Sequence, residues 1–305
     1  MDKRILAIGG SYFVGRVFSI LTSRDGNIDL HVVNRGRQPL NKENITEHKC
    51  DRHDIAKFAQ TVEGLEFDAL VDFCAYMPGE VAPIIEAVKG QIKQYILVST
   101  ASVYVPNDEL RVEGDEILYE STNDQVAQYI CSKSKLEKEC IEACEAAGIA
   151  YTIIRPSFVY GPFNYAPRES WYVQKIAKGE KVPNVVGTTS KFTFTYVVDL
   201  ADALLKCAKD ERAYNEIFNV SAPEQVTYES YMDVLKKLSP TPFETYDVTM
   251  NDVLRQGIAV PFPLDENQIY DGSKFANTFG FKYTSFEEGM GKAIQSCWNV
   301  YGPRG

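Results

Sequence analysis

KRILAIGGSYFVGR, Lys3 to Arg16, is the stretch on which the reading of the whole chain turns. An apolar run of strand length, Lys3–Ile8, meets Gly9-Gly10-Ser11-Tyr12-Phe13-Val14-Gly15, and a helix-periodic segment then continues to Ser23. Strand, glycine turn and helix in immediate succession form the context that a dinucleotide-binding turn requires. Gly9 suits the tight turn and Gly15 lets the helix lie close to the strand. The free N–H groups at the helix start would face a pyrophosphate.

Further along, the next apolar run, Ile28–Val33, ends in Asn34-Arg35-Gly36-Arg37. A site for NAD usually offers a carboxylate to the ribose 2′-hydroxyl at this strand end, whereas an arginine accommodates a 2′-phosphate. Asn34 is uncharged and Arg35 and Arg37 are cations, which favours NADP over NAD. Cys50-Asp51-Arg52 follows a third short strand, and Asp51 is placed either to accept from an adenine amino group or to cap the next helix. Asp68–Phe73 reads as a buried strand with Cys74-Ala75-Tyr76 at its carboxyl end, and Pro78–Lys89 as a helix. Tyr95–Val98 is the next buried strand, ending in Ser99-Thr100-Ala101-Ser102-Val103-Tyr104. This alternation predicts an α/β fold, a doubly wound parallel (Rossmann) sheet with ligands at the carboxyl ends of its strands. Thr100 falls at such an end.

A polar loop over 106–120 leads to a long helix, Ser121–Ala147, ended by Gly148. It carries Tyr129 and Lys133, four residues apart and therefore on one face. An ammonium held beside a phenol favours phenolate and lowers its pKa. That would make Tyr129 a usable general acid or base. The strand Ala150–Ile154 opens into Arg155–Pro162, whose prolines and glycine mark departure from the sheet. From Phe163 onward short helices (Ser170–Lys178, Tyr228–Leu238, Asn251–Gln256, Ser273–Thr278 and Phe286–Val300) alternate with Pro/Gly turns, while a helix reaching Lys209 and a strand, Glu216–Val220, rejoin the sheet. The expected organisation is a dinucleotide-binding domain over residues 1–162, with 195–220 contributing, and a smaller substrate-binding region over most of 163–305, interleaved with the first.

Composition bounds the partners. The chain has 305 residues, 45% of them apolar, enough for one large α/β domain or two smaller ones. A formal charge of -10 with no Lys/Arg cluster disfavours nucleic acid and anionic membrane surfaces. Without a leader pattern or an apolar run of bilayer length, a soluble, cytoplasmic protein is the expectation. Seven scattered cysteines suit a reducing compartment, and Cys140 and Cys144, on one helix face, lack further ligands at metal spacing among His31, His48 and His53, so no metal site is expected.

The motifs GGSYFVG (9–15), STASVY (99–104), YICSK (129–133), RPSFVYGP (155–162), VVDLAD (197–202) and DGSK (271–274) followed by FEEGM (286–290) occur in an order that resembles the extended short-chain dehydrogenase/reductase superfamily. The branch is that of the NAD-dependent epimerases, dehydratases and reductases of nucleotide sugars, and the resemblance covers most of the chain. It implies Thr100 as the hydroxyl that bonds the substrate oxygen, Tyr129 as acid/base, and Lys133 as the group that lowers its pKa and holds the nicotinamide ribose. It further implies Gly9, Ser11, Tyr12, Phe13 and Gly15 at the pyrophosphate turn, Asn34 and Arg35 at the adenosine ribose, and Asp51 and Arg52 on the adenine side. Cys74, Ala75 and Tyr76 would lie at the central ribose and phosphate, and Pro156 and Ser157 at the nicotinamide.

Three departures narrow the reading. Tyr12 stands where the turn usually has its middle glycine, which is similar to a divergent GGTxFxG subgroup that includes chloroplast stem-loop RNA-binding proteins. Ala101-Ser102 replaces the Asp-Glu with which 4,6-dehydratases run elimination. Phe158 and Phe192 stand near the positions of the asparagine and arginine that normally hold a sugar diphosphate, with Lys191 and Arg168 as the cations able to substitute. The expected function is an NAD(P)-dependent oxidoreductase or epimerase acting on a sugar nucleotide or another small hydroxyl or carbonyl compound. The alternative is a non-catalytic or RNA-binding relative that retains the fold. A homodimer through the tyrosine-bearing helix is a family-based expectation, set against Lys135, Glu137, Lys138 and Glu139, which read as a solvated face.

Overall fold

A computed structural model describes residues 3–121 and 125–303. The first half runs β1 (Lys3–Ile8), α1 (Phe13–Thr22), β2 (Ile28–Asn34), β3 (Ile45–Lys49), α2 (Ile55–Val62), β4 (Ala69–Asp72), α3 (Ala82–Ala87), β5 (Gln94–Val98), α4 (Gln125–Ala147) and β6 (Ala150–Pro156). The second half runs β7 (Phe158–Tyr160), α5 (Glu169–Ala177), β8 (Val182–Val185), β9 (Lys191–Phe192), β10 (Phe194–Tyr196), α6 (Val197–Cys207), β11 (Glu216–Val220), β12 (Val226–Thr227), α7 (Tyr228–Leu238), β13 (Thr245–Val248), α8 (Met250–Gln256), α9 (Ser273–Phe279) and α10 (Phe286–Tyr301).

Seven strands form one parallel sheet in the order β3-β2-β1-β4-β5-β6-β11. From β1 the chain winds outward to β3, returns to β4, and winds the other way to β11. The order therefore reverses between β1 and β4, and the crevice at their carboxyl ends is where a doubly wound sheet takes a ligand. Alternation along β1 covers both faces: Ile5 and Ala7 join the core with Phe18 of α1 and Leu200 and Leu204 of α6, whereas Leu6 and Ile8 join that with Phe58, Ile85, Leu136 and Cys140. Cys140 and Cys144 are thus core residues under α4.

The remaining strands make three two-stranded pairs, β7 with β10, β8 with β13 and β9 with β12. Around them Phe158, Phe192, Phe194, Phe262, Tyr228 and Tyr231 pack ring against ring at centroid distances of 5.2–6.1 Å.

Several local expectations are corrected. Helix α3 covers only Ala82–Ala87, because Gly79 (φ +90°) turns the chain and the Glu139 carboxylate of α4 accepts from the N–H groups of Gly79, Val81 and Ala82 at 2.6, 3.0 and 2.7 Å. Glu139 is therefore not part of a solvated face, and neither is Glu137, which is buried against Arg155 at 2.6 Å. Lys135 and Lys138 are the exposed members of that group. Asp54, not Asp51, caps α2, accepting from the Lys57 N–H. The expected start of α4 at Ser121 runs through residues 122–124, which lie outside the described residues; its end at Gly148 (φ +68°) follows from the left-handed conformation that glycine tolerates.

Candidate active site

A cleft of about 540 Å³ opens at the β1/β4 reversal. Of the expected cofactor residues, Gly9, Ser11, Tyr12, Phe13, Gly15, Asn34, Arg35, Asp51, Arg52, Cys74 and Tyr76 line it together. Arg37, His53, Gln38, Glu80 and Tyr165 line it as well, and the sequence had not singled out the last three.

The turn after β1 is built from close backbone approach. A Cβ on Gly15 would lie 2.7 Å from Gly9 O and 2.8 Å from Gly10 Cα, and one on Gly9 (φ +87°) would lie 2.9 Å from Cys74 Sγ. Tyr12 occupies the N-cap of α1 without a side-chain bond to the first-turn amides. Uncapped N–H groups at a helix start facing a cleft suit an anionic pyrophosphate. The tyrosine in place of the middle glycine is accommodated because its side chain projects outward, 48% exposed, and stacks on Tyr165 at 5.0 Å.

At the end of β2, the Asn34 side chain is tied into its own loop. Its amide donates to Glu47 at 3.1 Å and its carbonyl accepts from Gly36 N at 2.6 Å. Glu47 also accepts from Leu40 N at 2.9 Å and Asn41 N at 3.3 Å, so these groups fold the loop that presents the exposed Arg35 and Arg37. On the adenine side, Asp51 accepts from the backbone N–H of His53 at 3.0 Å, and its carboxylate lies 2.9 Å from His53 Nδ1. The His53 bond lowers the Asp51 pKa, and Glu80 and Asp51 together raise that of His53.

Arg52 is a wall of the cleft with a committed guanidinium. It pairs with the fully buried Asp72 at 2.7 Å and donates to Glu80 O at 2.7 Å, while Tyr95 donates to the other Asp72 oxygen at 2.5 Å. The arginine expected to meet adenine therefore anchors the floor between β4 and the segment after β3. Burial pushes the neighbouring Cys74 thiol up to about 12.

Lys133 and Tyr129 are on one side of α4. Lys133 is 2% exposed, and its Nζ donates to Ala75 O at 2.7 Å and Val98 O at 3.1 Å, the carbonyls at the ends of β4 and β5. Two of its three donors are thereby used. Its ammonium lies 5.1 Å from the Tyr76 ring centroid, and burial lowers its pKa to about 8. The Tyr129 phenol moves up to about 12, chiefly through desolvation with Tyr165 adding and Arg168 opposing. That direction is opposite to the lowering expected from the Tyr–Lys spacing, and the Lys133 ammonium is committed to the two carbonyls. Thr100 caps a short 3₁₀ turn, Ala101–Val103, its Oγ1 accepting from Ser102 N at 3.2 Å. Pro156 and Ser157, like Ala75, Tyr129 and Lys133, are not among the residues that line the cleft; the Ser157 hydroxyl is buried between those of Thr195 at 2.8 Å and Ser221 at 3.0 Å.

A strap from the second half crosses the mouth. Tyr165 stacks on Tyr12 and meets Phe13 edge-on at 5.7 Å, and Phe163 receives the Arg16 guanidinium over its ring at 5.4 Å. No local pattern marks Tyr165, since its role depends on residues about 150 positions earlier.

A family profile described as NAD dependent epimerase/dehydratase family matches residues 5–221. The chain belongs to this NAD-dependent epimerase/dehydratase family. Among curated relatives, the chloroplast stem-loop binding protein of 41 kDa b of Arabidopsis thaliana is 31% identical over 257 residues, 79% of this chain and 64% of that protein. A UDP-glucose 4-epimerase of Vibrio cholerae is 28% identical over 142 residues, 47% of this chain and 42% of the other. The match thus spans less than two thirds of either relative. Solved structures of the same fold include a UDP-glucuronic acid 4-epimerase of Bacillus cereus with NAD (TM-score 0.78, 17% identity, 98% of this chain and 97% of that one). A dTDP-glucose 4,6-dehydratase of Bacillus anthracis with NAD is comparable (TM-score 0.79, 18% identity, 98% and 97%). The uncapped α1 amides and the glycine cradle of the β1/β4 cleft are groups that fit a dinucleotide pyrophosphate. Among the described residues no helix is long and apolar enough to cross a membrane.

Proposed function

We propose that the chain is an NADP(H)-preferring oxidoreductase or epimerase of this family, acting on a small hydroxyl or carbonyl substrate. The bound nicotinamide supplies hydride exchange. Tyr129 moves a proton to or from the substrate oxygen, Thr100 hydrogen-bonds that oxygen, and the remaining N–H of Lys133 is directed to the cofactor ribose. The observation that carries the reading is the placement of Lys133: a buried ammonium fixed by Ala75 O and Val98 O at the carboxyl ends of β4 and β5, one helical turn from Tyr129 and bonded to a residue, Val98, that lines the cleft.

The preference for NADP rests on Arg35 and Arg37, exposed at the cleft, where the end of β2 is Asn34 and the nearby Glu47 carboxylate is spent on the loop. Ala101 and Ser102 after Thr100 supply no carboxylic acid or carboxylate for the Asp-Glu elimination mechanism, so we assign redox or epimerisation rather than dehydration. Residues beyond 162, apart from 195–220, are assigned to the substrate side. The stem-loop binding relative raises a second reading, retention of the fold for RNA. The net charge of -10 opposes it, and a gel shift with structured RNA at physiological salt decides it.

Tyr129→Phe tests the assignment. NADPH affinity is expected to stay within about twofold, since the phenol hydroxyl is aimed at substrate, while turnover falls by about 10²-fold or more. Unchanged turnover in the variant refutes the role of Tyr129; absence of NADP(H) and NAD(H) binding to the wild type refutes the function.

A further inference from the structure

Arg168, at the turn into α5, is half-buried and makes no side-chain ion pair among the described residues. Its Nη1 donates to Val159 O at 2.8 Å, and its guanidinium lies 4.8 Å from the Phe158 ring centroid. Among the described residues no carboxylate is within ion-pair distance of it. The adjacent Glu169 is fully buried and spent on Gly161 N at 2.8 Å and Asn164 Nδ2 at 3.0 Å. Burial lowers the arginine's own pKa, opposed first by the neighbouring Glu169 carboxylate, and the guanidinium acts electrostatically on the phenols of Tyr129 and Tyr231. With one N–H on Val159 O and Glu169 already spent elsewhere, the guanidinium keeps donors open to a ligand.

A second polar group nearby is also incomplete. The hydroxyl of Tyr231, 3% exposed on α7, has no hydrogen-bond partner among the described residues. Two donors in one region, a guanidinium and a phenol, call for an oxyanion.

The surroundings restrict how large that oxyanion can be. Phe158 and Phe192, near the positions from which the resemblance would draw the diphosphate grip, pack against each other at 5.9 Å and against Phe262 at 5.3 and 5.2 Å. These rings offer no donors to a second phosphate. Lys191 is exposed on β9 rather than turned in with them.

We infer that Arg168 is the anion anchor of the substrate site, and that the substrate is a compact hydroxy or carbonyl compound carrying one carboxylate or one phosphate, not a nucleoside diphosphate sugar. The inference rests on the proposed proton transfer at Tyr129, because the anion is placed so that its hydroxyl or carbonyl reaches that phenol. The guanidinium takes two anion oxygens beside the Phe158 ring over which it lies.

The test is calorimetric titration of the full chain, saturated with NADP+, with inorganic phosphate, lactate and UDP-glucose. Wild type is expected to bind phosphate or lactate, the two arms separating the phosphate from the carboxylate class, and UDP-glucose no more tightly than either. Arg168→Gln is expected to weaken the bound anion by about tenfold or more, the loss of a charge-assisted bond, while NADP+ affinity is unchanged. Where Arg168→Gln does not fold, Arg168→Lys, which keeps the charge but not the two-pronged contact, is expected to weaken it severalfold. Overturning results are an anion affinity that Arg168 does not change, absence of binding by both anions, or UDP-glucose bound about tenfold more tightly than phosphate. Titration without NADP+ reads the same difference between wild type and variant if the cofactor itself fails to bind, so loss of the proposed function and loss of this anchor give separate signatures.

Discussion

Replacing Glu137 by glutamine tests whether a buried ion pair fixes the helix that carries Tyr129 and Lys133 to the sheet. The carboxylate on α4 accepts from Arg155 Nε at 3.0 and 3.2 Å and from Nη2 at 2.6 Å, with the two side chains 4% and 3% exposed. Arg155 Nη1 also donates to Tyr104 OH at 2.9 Å, which donates onward to Asn219 at 2.7 Å. The intact pair adds little net stability, because its Coulomb gain is set against the desolvation of two ions. Removing one partner is different. The guanidinium stays charged, since its pKa lies well above the ordinary arginine value in the pair, and glutamine leaves it without a counter-ion where water does not reach. The expected cost is about 3–5 kcal/mol. With a urea m-value of about 3 kcal/mol/M, the midpoint falls by about 1–2 M. Urea unfolding of the cofactor-free chain, followed by circular dichroism and by tryptophan fluorescence, reads it directly. The double variant Glu137→Leu with Arg155→Met is expected to recover most of the loss, because no unpaired charge remains. A Glu137→Gln midpoint within about 0.3 M of wild type, or a double variant no better than the single, refutes the reasoning.

Gly15→Ala places a methyl 2.7 Å from Gly9 O, and backbone on both sides must shift; the expected outcome is NADP+ binding weakened about tenfold in a calorimetric titration. Gly291→Ala on α10, with nothing nearer than 3.8 Å, is the matched control and is expected to gain about 0.5–1 kcal/mol in urea unfolding. The His31 and His48 rings share a 2.9 Å contact, and burial lowers both pKa values from the ordinary 6.5. The folded state therefore binds fewer protons than the unfolded chain below pH 6.5, so this stability is present above 6.5 and lost as pH falls through the lowered values. Urea midpoints from pH 7.5 to 5 should drop in wild type and drop less in His48→Gln; parallel profiles count against it. Arg35→Ala is expected to weaken NADP+ by about tenfold and NAD+ much less, the worth of a charge-assisted phosphate bond, and equal losses for both would make the arginine a mere loop cation.

The sequence by itself determined the sheet and the place of the cleft. Apolar strands alternating with helix-periodic segments can bury their faces only as a parallel sheet with helices on both sides, and the glycines of 9–15 mark the strand end at which the backbone must come close. These are local signals, so Gly9, Gly15, Tyr129 and Lys133 could be placed from spacing alone. What the tertiary structure decided was the partner of each polar side chain. Glu137 and Glu139 look like solvent charges in a helix, yet Arg155 and the amides of 79–82 reach them from 18 to 60 residues away. Arg52 was expected at adenine and is held by Asp72; Asn34 folds its own loop with Glu47; the Lys133 ammonium is bound to two strand-end carbonyls. Charge and hydrogen-bonding capacity are written in the sequence, but the dielectric around a group and the donor that meets it are set by elements distant along the chain. Desolvation and pairing therefore exist only once the fold has brought those elements together.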